Sequence, residues 1–288
     1  MLKHRIGSGV LMAVFFGGMT VLDGWLDGSA TVTAADDKPI QGTLLAILLV
    51  LVLGLAVVEF SRLVASKDLV VVLPAAVVGV VLVSTTWYWP QVLGVEPHVY
   101  LLLSLALSLL GAMVGHYRRC GVGGALANCG ATSLAVAYLG GLGAFVLAVR
   151  VEFGLWQVLM LMCVVKASDI GAYTFGKLFG KHKFSPRVSP GKTWEGLAGA
   201  MGVALGVSLA FAALFGTMSW WQAMIFGPAF AVIGQMGDLA ESMMKRDAGQ
   251  KDSSNRVPGF GGILDVIDSP LVAAPFGYLF FRLVALGG

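Results

Sequence analysis

Cysteine is scarce in this chain: Cys120, Cys129 and Cys163 are three among 288 residues. None stands in a CxxC or Cys/His metal spacing, and an odd number builds no disulfide framework, so they read as small buried hydrophobes. Charge is scarce too. Asp, Glu, Lys and Arg make up 12% of the chain, against about 25% in a soluble domain, which excludes an ordinary soluble fold. No internal repeat and no low-complexity stretch is present. An ion-coupled transporter built from two repeat halves would show paired broken helices, so that alternative is disfavoured.

What the chain has in abundance is apolar length. Hydrophobic residues are 57% of the total, and they fall in nine blocks: 6–22, 43–60, 69–89, 98–115, 130–149, 154–170, 197–217, 219–237 and 267–286. Each approaches the roughly 17–25 residues that a helix needs to cross the hydrocarbon layer. The expected fold is an all-α polytopic membrane protein of about nine transmembrane helices. Pro74 interrupts the third block and glycines fill the fifth. Lys3, His4 and Arg5 precede the first block, and the small residues 32–35 follow it, which is the outline of a secretory signal. The acid-bearing gap Asp23–Ala30 separates the two features, so the first block is expected to be a retained span.

Lysine and arginine set the orientation. With the N-terminus cytoplasmic and nine spans, 16 of the 19 Lys and Arg residues fall inside; only Lys38, Arg150 and Arg282 fall outside. The expected location is the cell (inner) membrane. Trp87, Tyr88 and Trp89, and the pair Trp220 and Trp221, suit interfacial belts. The inner segments 166–196 and 238–266 are long and rich in charge, glycine and proline, so function is expected there. Residues 1–130 read as transmembrane scaffold and 131–288 as the catalytic region.

Three stretches carry the chemistry. In KASDIGAY, Lys166, Asp169 and Tyr173 are spaced i, i+3, i+7 and share one helix face. That is either an interfacial lysine beside a pairing aspartate or an ionisable face turned into a polar cavity. The stretch 176–196 holds Lys177, Lys181, His182, Lys183, Arg187 and Lys192 against the single acid Glu195. A lipid-facing basic patch explains the charge. Two Ser-Pro steps and Gly191-Lys192-Thr193 add hydroxyls and backbone N–H groups, the parts of a phosphate cradle. A Walker A loop is excluded, because Pro186 stands where the motif needs glycine and no strand precedes it.

The third stretch, Gly237–Ser269, holds six acids, four bases and five glycines. Asp238, Glu241, Ser242 and Lys245 fall at i, i+3, i+4, i+7, with Arg246 adjacent. On a surface helix such a face would simply be solvated. Here Lys251 and Asp252 follow, then glycines 259, 261 and 262, which permit a tight backbone path, then Asp265 and Asp268 at the start of the last block. Acids near a helix N-terminus can serve as caps or dipole partners, a role that suits Asp268 better than both. Carboxylates without histidine or cysteine partners suit a hard cation such as Mg²⁺, and bases beside them suit a polyphosphate. Together these are the recurring parts of phosphoryl and nucleotidyl transfer.

At this point the chain resembles the phosphatidate cytidylyltransferases, or CDP-diacylglycerol synthases. Their C-terminal signature is matched by Ser242, Lys245, Arg246, Lys251, Asp252, Pro258, Gly259, Gly261, Gly262, Asp265 and Asp268. Phe260 and Val266 replace a histidine and an arginine of that signature. Ser168-Asp169, Tyr173, Gly176, Ser189-Pro190, Lys192-Thr193, Glu195-Gly196 and the N-terminal Lys3-x-Arg5-Ile6 are similar to the family as well. The resemblance implies CTP and phosphatidate as substrates, CDP-diacylglycerol and pyrophosphate as products, and Mg²⁺ with a second cation nearby. It points to Asp238 and Asp265 as metal ligands, and with Lys245 and Arg246 as the catalytic group. Lys166, Ser189, Lys192, Thr193, Ser242 and Lys251 are expected to bind phosphate, with Asp169, Tyr173, Glu241, Asp252 and Asp268 as further polar site residues. Membrane lipid is an expected partner, nucleic acid is not, and a homodimer is the expected assembly. A related CTP enzyme acting on an ether phosphatidate, or a CTP-dependent polyprenol kinase, remains open at the level of the residues.

Overall fold

The computed structural model describes residues 15–30, 37–251, 253–254 and 261–286. Their regular structure is helical: α1 (15–26), α2 (Thr43–Ala65), α3 (Leu73–Ser84), α4 (Trp89–Leu93), α5 (Pro97–Cys120), α6 (Ala125–Ala135), α7 (Leu142–Phe153), α8 (Leu155–Phe179), α9 (Trp194–Phe215), α10 (Trp220–Asp247) and α11 (Leu264–Leu286). A π-helical turn, Val136–Gly141, joins α6 to α7. Among the described residues, seven helices are long and apolar enough to cross a membrane, with α6 to α7 counted as one of 29 residues. Among the described residues the chain is thus all-helical, the fold of a polytopic membrane protein. The first expected span lies partly outside the described residues, as do Lys3, Arg5 and the residues 32–35.

The third block differs from a simple span. Pro74 does not break a helix; it sits in the first turn of α3, where its missing N–H is no loss. The twelve residues of α3 rise only about 18 Å. Ahead of them the backbone is not helical, and side chains satisfy it: Val70 N–H donates to Asn128 Oδ1 at 2.8 Å and Val72 N–H to Thr132 Oγ1 at 3.0 Å. At membrane depth, irregular backbone is tolerated only where protein buries it. The glycines of the fifth block serve packing against α3: a Cβ on Gly140 would lie 3.1 Å from Val80 Cα.

Two compact units form. The first comprises Met1–Glu152 and Ala248–Val266. Its core is apolar, with Leu53, Ala56, Val57, Phe60, Val80, Leu139 and Leu147 almost wholly enclosed. One ionic cluster is embedded in it. Arg150, fully buried, donates from Nε to Asp23 Oδ2 at 2.9 Å and from Nη2 to Asp27 Oδ2 at 2.6 Å. Asp23 Oδ1 accepts the Leu44 and Leu45 N–H groups at 2.7 and 3.2 Å, which caps the N-terminus of α2 from outside the helix. Burial alone would push the Asp27 carboxyl up. The Ser29 hydroxyl, the Gly42 N–H and the Arg150 guanidinium outweigh it and hold Asp27 below its ordinary value.

The second unit comprises Phe153–Asp247 and Ile267–Gly288. Here α8 and α9 approach through small residues, as membrane helices do. A Cβ on Gly171 would lie 3.0 Å from Gly199 O, and one on Gly196 would lie 2.8 Å from Ala172 O. The Phe226 and Phe230 rings stack 4.0 Å apart between turns of α10, with Phe280 and Phe281 of α11 against them. Cys163 in this unit and Cys120 in the first are exposed rather than buried. A thiol on a spanning helix faces hydrocarbon at no cost, so the soluble-protein expectation of burial does not carry over.

Candidate active site

The polar residues of the second unit gather where the charged ends of α8 and α10 meet the segment before α9. That segment is a tight hairpin. Trp194 N–H donates to His182 O at 2.9 Å, Phe184 N–H to Lys192 O at 3.3 Å, and Ser189 N–H to Ser185 O at 2.9 Å. Thr193 ends it as the N-cap of α9, its Oγ1 accepting the Gly196 N–H at 3.1 Å. Gly176 and Gly180 let the hairpin lie against α8, since a Cβ on Gly180 would overlap Thr193 and the Gly176 carbonyl. Glu195 accepts the Lys181 and His182 N–H groups and closes the hairpin's base. The result aims Lys192 inward.

Lys192 Nζ lies 2.7 Å from Asp238 Oδ2 and donates to the Gln235 carbonyl at 2.9 Å. Gln235 Nε2 donates in turn to Asp169 Oδ1 at 3.3 Å, and Lys166 Nζ stands 3.4 Å from Asp169 Oδ2. One turn further along α10, Ser242 Oγ donates to Asp238 Oδ1 at 3.4 Å and Lys245 Nζ to Glu241 Oε2 at 2.7 Å. A solvated helix face would be exposed. Here Glu241 is 0%, Lys245 7% and Ser242 8% exposed, so this face is interior and its charges are paired at close range.

Carboxylate oxygens of Asp238, Glu241 and Asp268 all lie within 4.8 Å of one another. This donor set is oxygen only. Lys192 and Lys245 stand 2.7 Å from two of these carboxylates, Asp238 and Glu241, and oxygen donors without nitrogen or sulfur suit Mg²⁺ or a similarly hard ion. The residues therefore fit the metal that the sequence motif implies. A backbone approach makes the cluster possible: a Cβ on Gly237 would lie 3.0 Å from Asp268 O and from Ser269 Cα.

The first unit holds Asp265. Its Oδ2 accepts Ser253 N–H at 3.0 Å, Ser253 Oγ–H at 2.7 Å and Gly262 N–H at 2.6 Å. Asp265 thus takes local donors ahead of and at the start of α11, while Asp268, which the spacing suited to a cap, lies in the carboxylate cluster. Lys251 is exposed in this unit. Asp252, Pro258, Gly259 and Phe260 lie outside the described residues.

Of the other expected site residues, Ser189 is half-buried within the hairpin turn. Arg246 is exposed and donates from Nε to Val188 O at 3.2 Å, tying α10 to the hairpin. Tyr173 is exposed, with Lys177 Nζ 5.9 Å from its ring centroid. Gln235 was not foreseen; an amide deep in the apolar run of α10 was the available signal. Glu59 was not foreseen either. It is wholly buried in α2 and accepts hydrogen bonds from Ser254 and Leu264.

Comparison with known proteins bears on this constellation. A protein of Haemophilus influenzae named phosphatidate cytidylyltransferase is 44% identical over 134 residues, which cover 44% of this chain and 46% of that protein. One of the same name from Brucella suis is 39% identical over 133 residues, 46% of this chain and 49% of its own. Another from Mycobacterium leprae is 37% identical over 131 residues, 46% and 42% respectively. The chain thus spans about half the length of the curated relatives it matches. The sequence pattern of the cytidylyltransferase family extends much further, over residues 38–284, and the chain belongs to that family.

Proposed function

We propose that this protein transfers the cytidylyl group of CTP to phosphatidate, forming CDP-diacylglycerol and pyrophosphate for phospholipid synthesis. The observation that carries the reading is the cluster of half-buried Asp238 with buried Glu241 and Asp268, with Lys192 paired to it, in a chain of the cytidylyltransferase family. The names of the relatives support the choice of lipid substrate.

In this reading Asp238, Glu241 and Asp268 would hold Mg²⁺, and the family resemblance makes Asp265 a ligand as well and implies a second cation nearby. Bound Mg²⁺ neutralises phosphate charge and makes the α-phosphorus easier to attack. The chain's own residues do the rest. Lys192, Lys166 and Lys245 are short-range cations that exchange their carboxylate partners for phosphate oxygens. Arg246, Lys251 and the hydroxyls of Ser189, Thr193 and Ser242 add donors around the polyphosphate. A phosphatidate oxygen forms the new bond to the α-phosphorus while the bond to the β-phosphate oxygen breaks. Pyrophosphate leaves with its electron pair, and the lysines stabilise the charge that accumulates on it. A phosphomonoester is already mostly ionised at neutral pH, so no strong general base is required. Phe260 in place of histidine is compatible with that chemistry.

The same reading puts the N-terminus and the site on the cytoplasmic side of the cell membrane, where CTP is. Sixteen of nineteen Lys and Arg residues support it when nine spans are counted. A four-residue non-helical lead-in, 69–72, adds up to about 13 Å to α3, bringing that block near the roughly 30 Å of hydrocarbon. A homodimer is the proposed assembly, and nucleic acid has no part in it.

The test is transfer by purified protein in mixed micelles with CTP labelled at either the α or the γ phosphate. Label from the α position is expected in lipid, with phosphatidate preferred over a polyprenol. Label entering lipid only from the γ position would instead identify a CTP-dependent kinase.

A further inference from the structure

Glu59 is a carboxylate enclosed within an apolar helix, 0% exposed. Ionisable groups at such positions are retained for a reason. Its partners supply one. Oε2 accepts the Leu264 N–H at 3.0 Å and the Ser253 hydroxyl at 3.3 Å, while Oε1 accepts the Ser254 hydroxyl at 2.7 Å. Leu264 is the first residue of α11, so Glu59 satisfies a helix N-terminal N–H that has no partner within the helix and places negative charge at the favourable dipole end. The backbone comes so close that a Cβ on Gly262 would overlap both Glu59 Oε2 and Ser253 Oγ.

The same few residues hold Asp265. Its Oδ2 takes the Ser253 N–H, the Ser253 hydroxyl and the Gly262 N–H. Ser253 is therefore shared: its hydroxyl has one proton, which lies nearer Asp265 at 2.7 Å than Glu59 at 3.3 Å. Glu59 grips the segment on one side through Ser253, Ser254 and Leu264. Asp265 projects from the next residue of the helix start that Glu59 holds.

We propose that Glu59 is a positioning residue for cytidylyl transfer, setting the orientation of the Asp265 carboxylate through Ser253, Ser254 and the start of α11. This rests on the reading of Asp265 as a site residue. It differs from a merely structural role because it acts on one segment and on turnover rather than on the fold at large.

The experiment compares full-length Glu59→Gln, Glu59→Leu, Ser254→Ala and Asp265→Asn, measuring kcat, KM for CTP and amide hydrogen exchange of peptides covering 261–266. Glu59→Leu is expected to lower kcat by about 10- to 100-fold, the range typical of groups that orient a functional carboxylate. KM for CTP should stay near wild type, and exchange should rise at 261–266 but not in the rest of α2. Glu59→Gln keeps shape and one acceptor and should fall between, with Ser254→Ala milder still. If Asp265→Asn is active, the site reading itself fails and the proposal goes with it. If Asp265→Asn is inactive while Glu59→Leu keeps wild-type kcat, or loses it only with exchange rising throughout, the positioning role alone is overturned. Should Glu59→Leu not fold, wild-type kcat in both Glu59→Gln and Ser254→Ala overturns it equally.

Discussion

Replacing Arg150 with methionine tests the packing logic of the first unit. The Arg150, Asp23 and Asp27 side chains are 0%, 2% and 7% exposed, so water screens them little. Two charge-assisted hydrogen bonds, at 2.9 and 2.6 Å, are each worth about 1.5–3 kcal/mol. Breaking a buried pair from one side costs about 3–5 kcal/mol, because it strands the remaining charge. Here the stranded acids keep backbone donors at Gly42, Leu44 and Leu45, which favours the lower end, about 3 kcal/mol. Arg150→Lys should recover only part of this, since one ammonium cannot reproduce the fork that reaches both acids. The assay is denaturant unfolding of purified protein in detergent. The pH dependence has a definite sign. The Asp27 carboxyl is held below its ordinary value of 3.8, so its contribution is complete above that value and is lost as pH falls through the folded pKa. The gap between wild type and Arg150→Met should therefore narrow on acidification below about pH 4. A loss under 1 kcal/mol, a lysine variant equal to wild type, or a gap that widens in acid would each refute the reasoning.

Gly171→Val should destabilise the second unit by about 1–3 kcal/mol through overpacking, because even a Cβ there meets Gly199 O at 3.0 Å; Gly202→Ala, with open space, is the control in the same melting experiment. Lys245→Met removes the ammonium 2.7 Å from buried Glu241 and should cost about 3–5 kcal/mol, most of it recovered by adding Glu241→Gln. Thr193→Ala should cost about 1 kcal/mol by deleting the cap on the Gly196 N–H, and Thr193→Ser should not.

The long helices were legible because hydrocarbon demands length and apolarity, and both can be read residue by residue. The end of α10 was legible for a similar reason: Asp238, Glu241, Ser242 and Lys245 share a face by helical period alone. What could not be read was which partner each charge would find. Arg150 meets Asp23 across 127 positions of chain and Glu59 meets Leu264 across 205; neither separation has a local signature. Glu59 did leave a weaker trace, as a single charge inside an apolar block. The third block misled because Pro74 has two meanings, breaker or first-turn residue. Only Asn128 and Thr132, from another helix, decide between them by satisfying the backbone ahead of α3. Spacing shows that Asp265 and Asp268 both begin a helix, not that Asp265 takes the Ser253 and Gly262 donors while Asp268 lies beside Asp238 and Glu241.

The central claim is that the carboxylate cluster around Asp238 performs cytidylyl transfer. The most direct measurement is the stoichiometry of pyrophosphate released to cytidylyl-lipid formed, in Mg²⁺, for wild type and for Asp238→Asn of equal thermal stability. The account predicts one pyrophosphate per CDP-diacylglycerol in the wild type and loss of both products in the variant. Near-normal turnover by Asp238→Asn, or release of CDP in place of pyrophosphate, would contradict it.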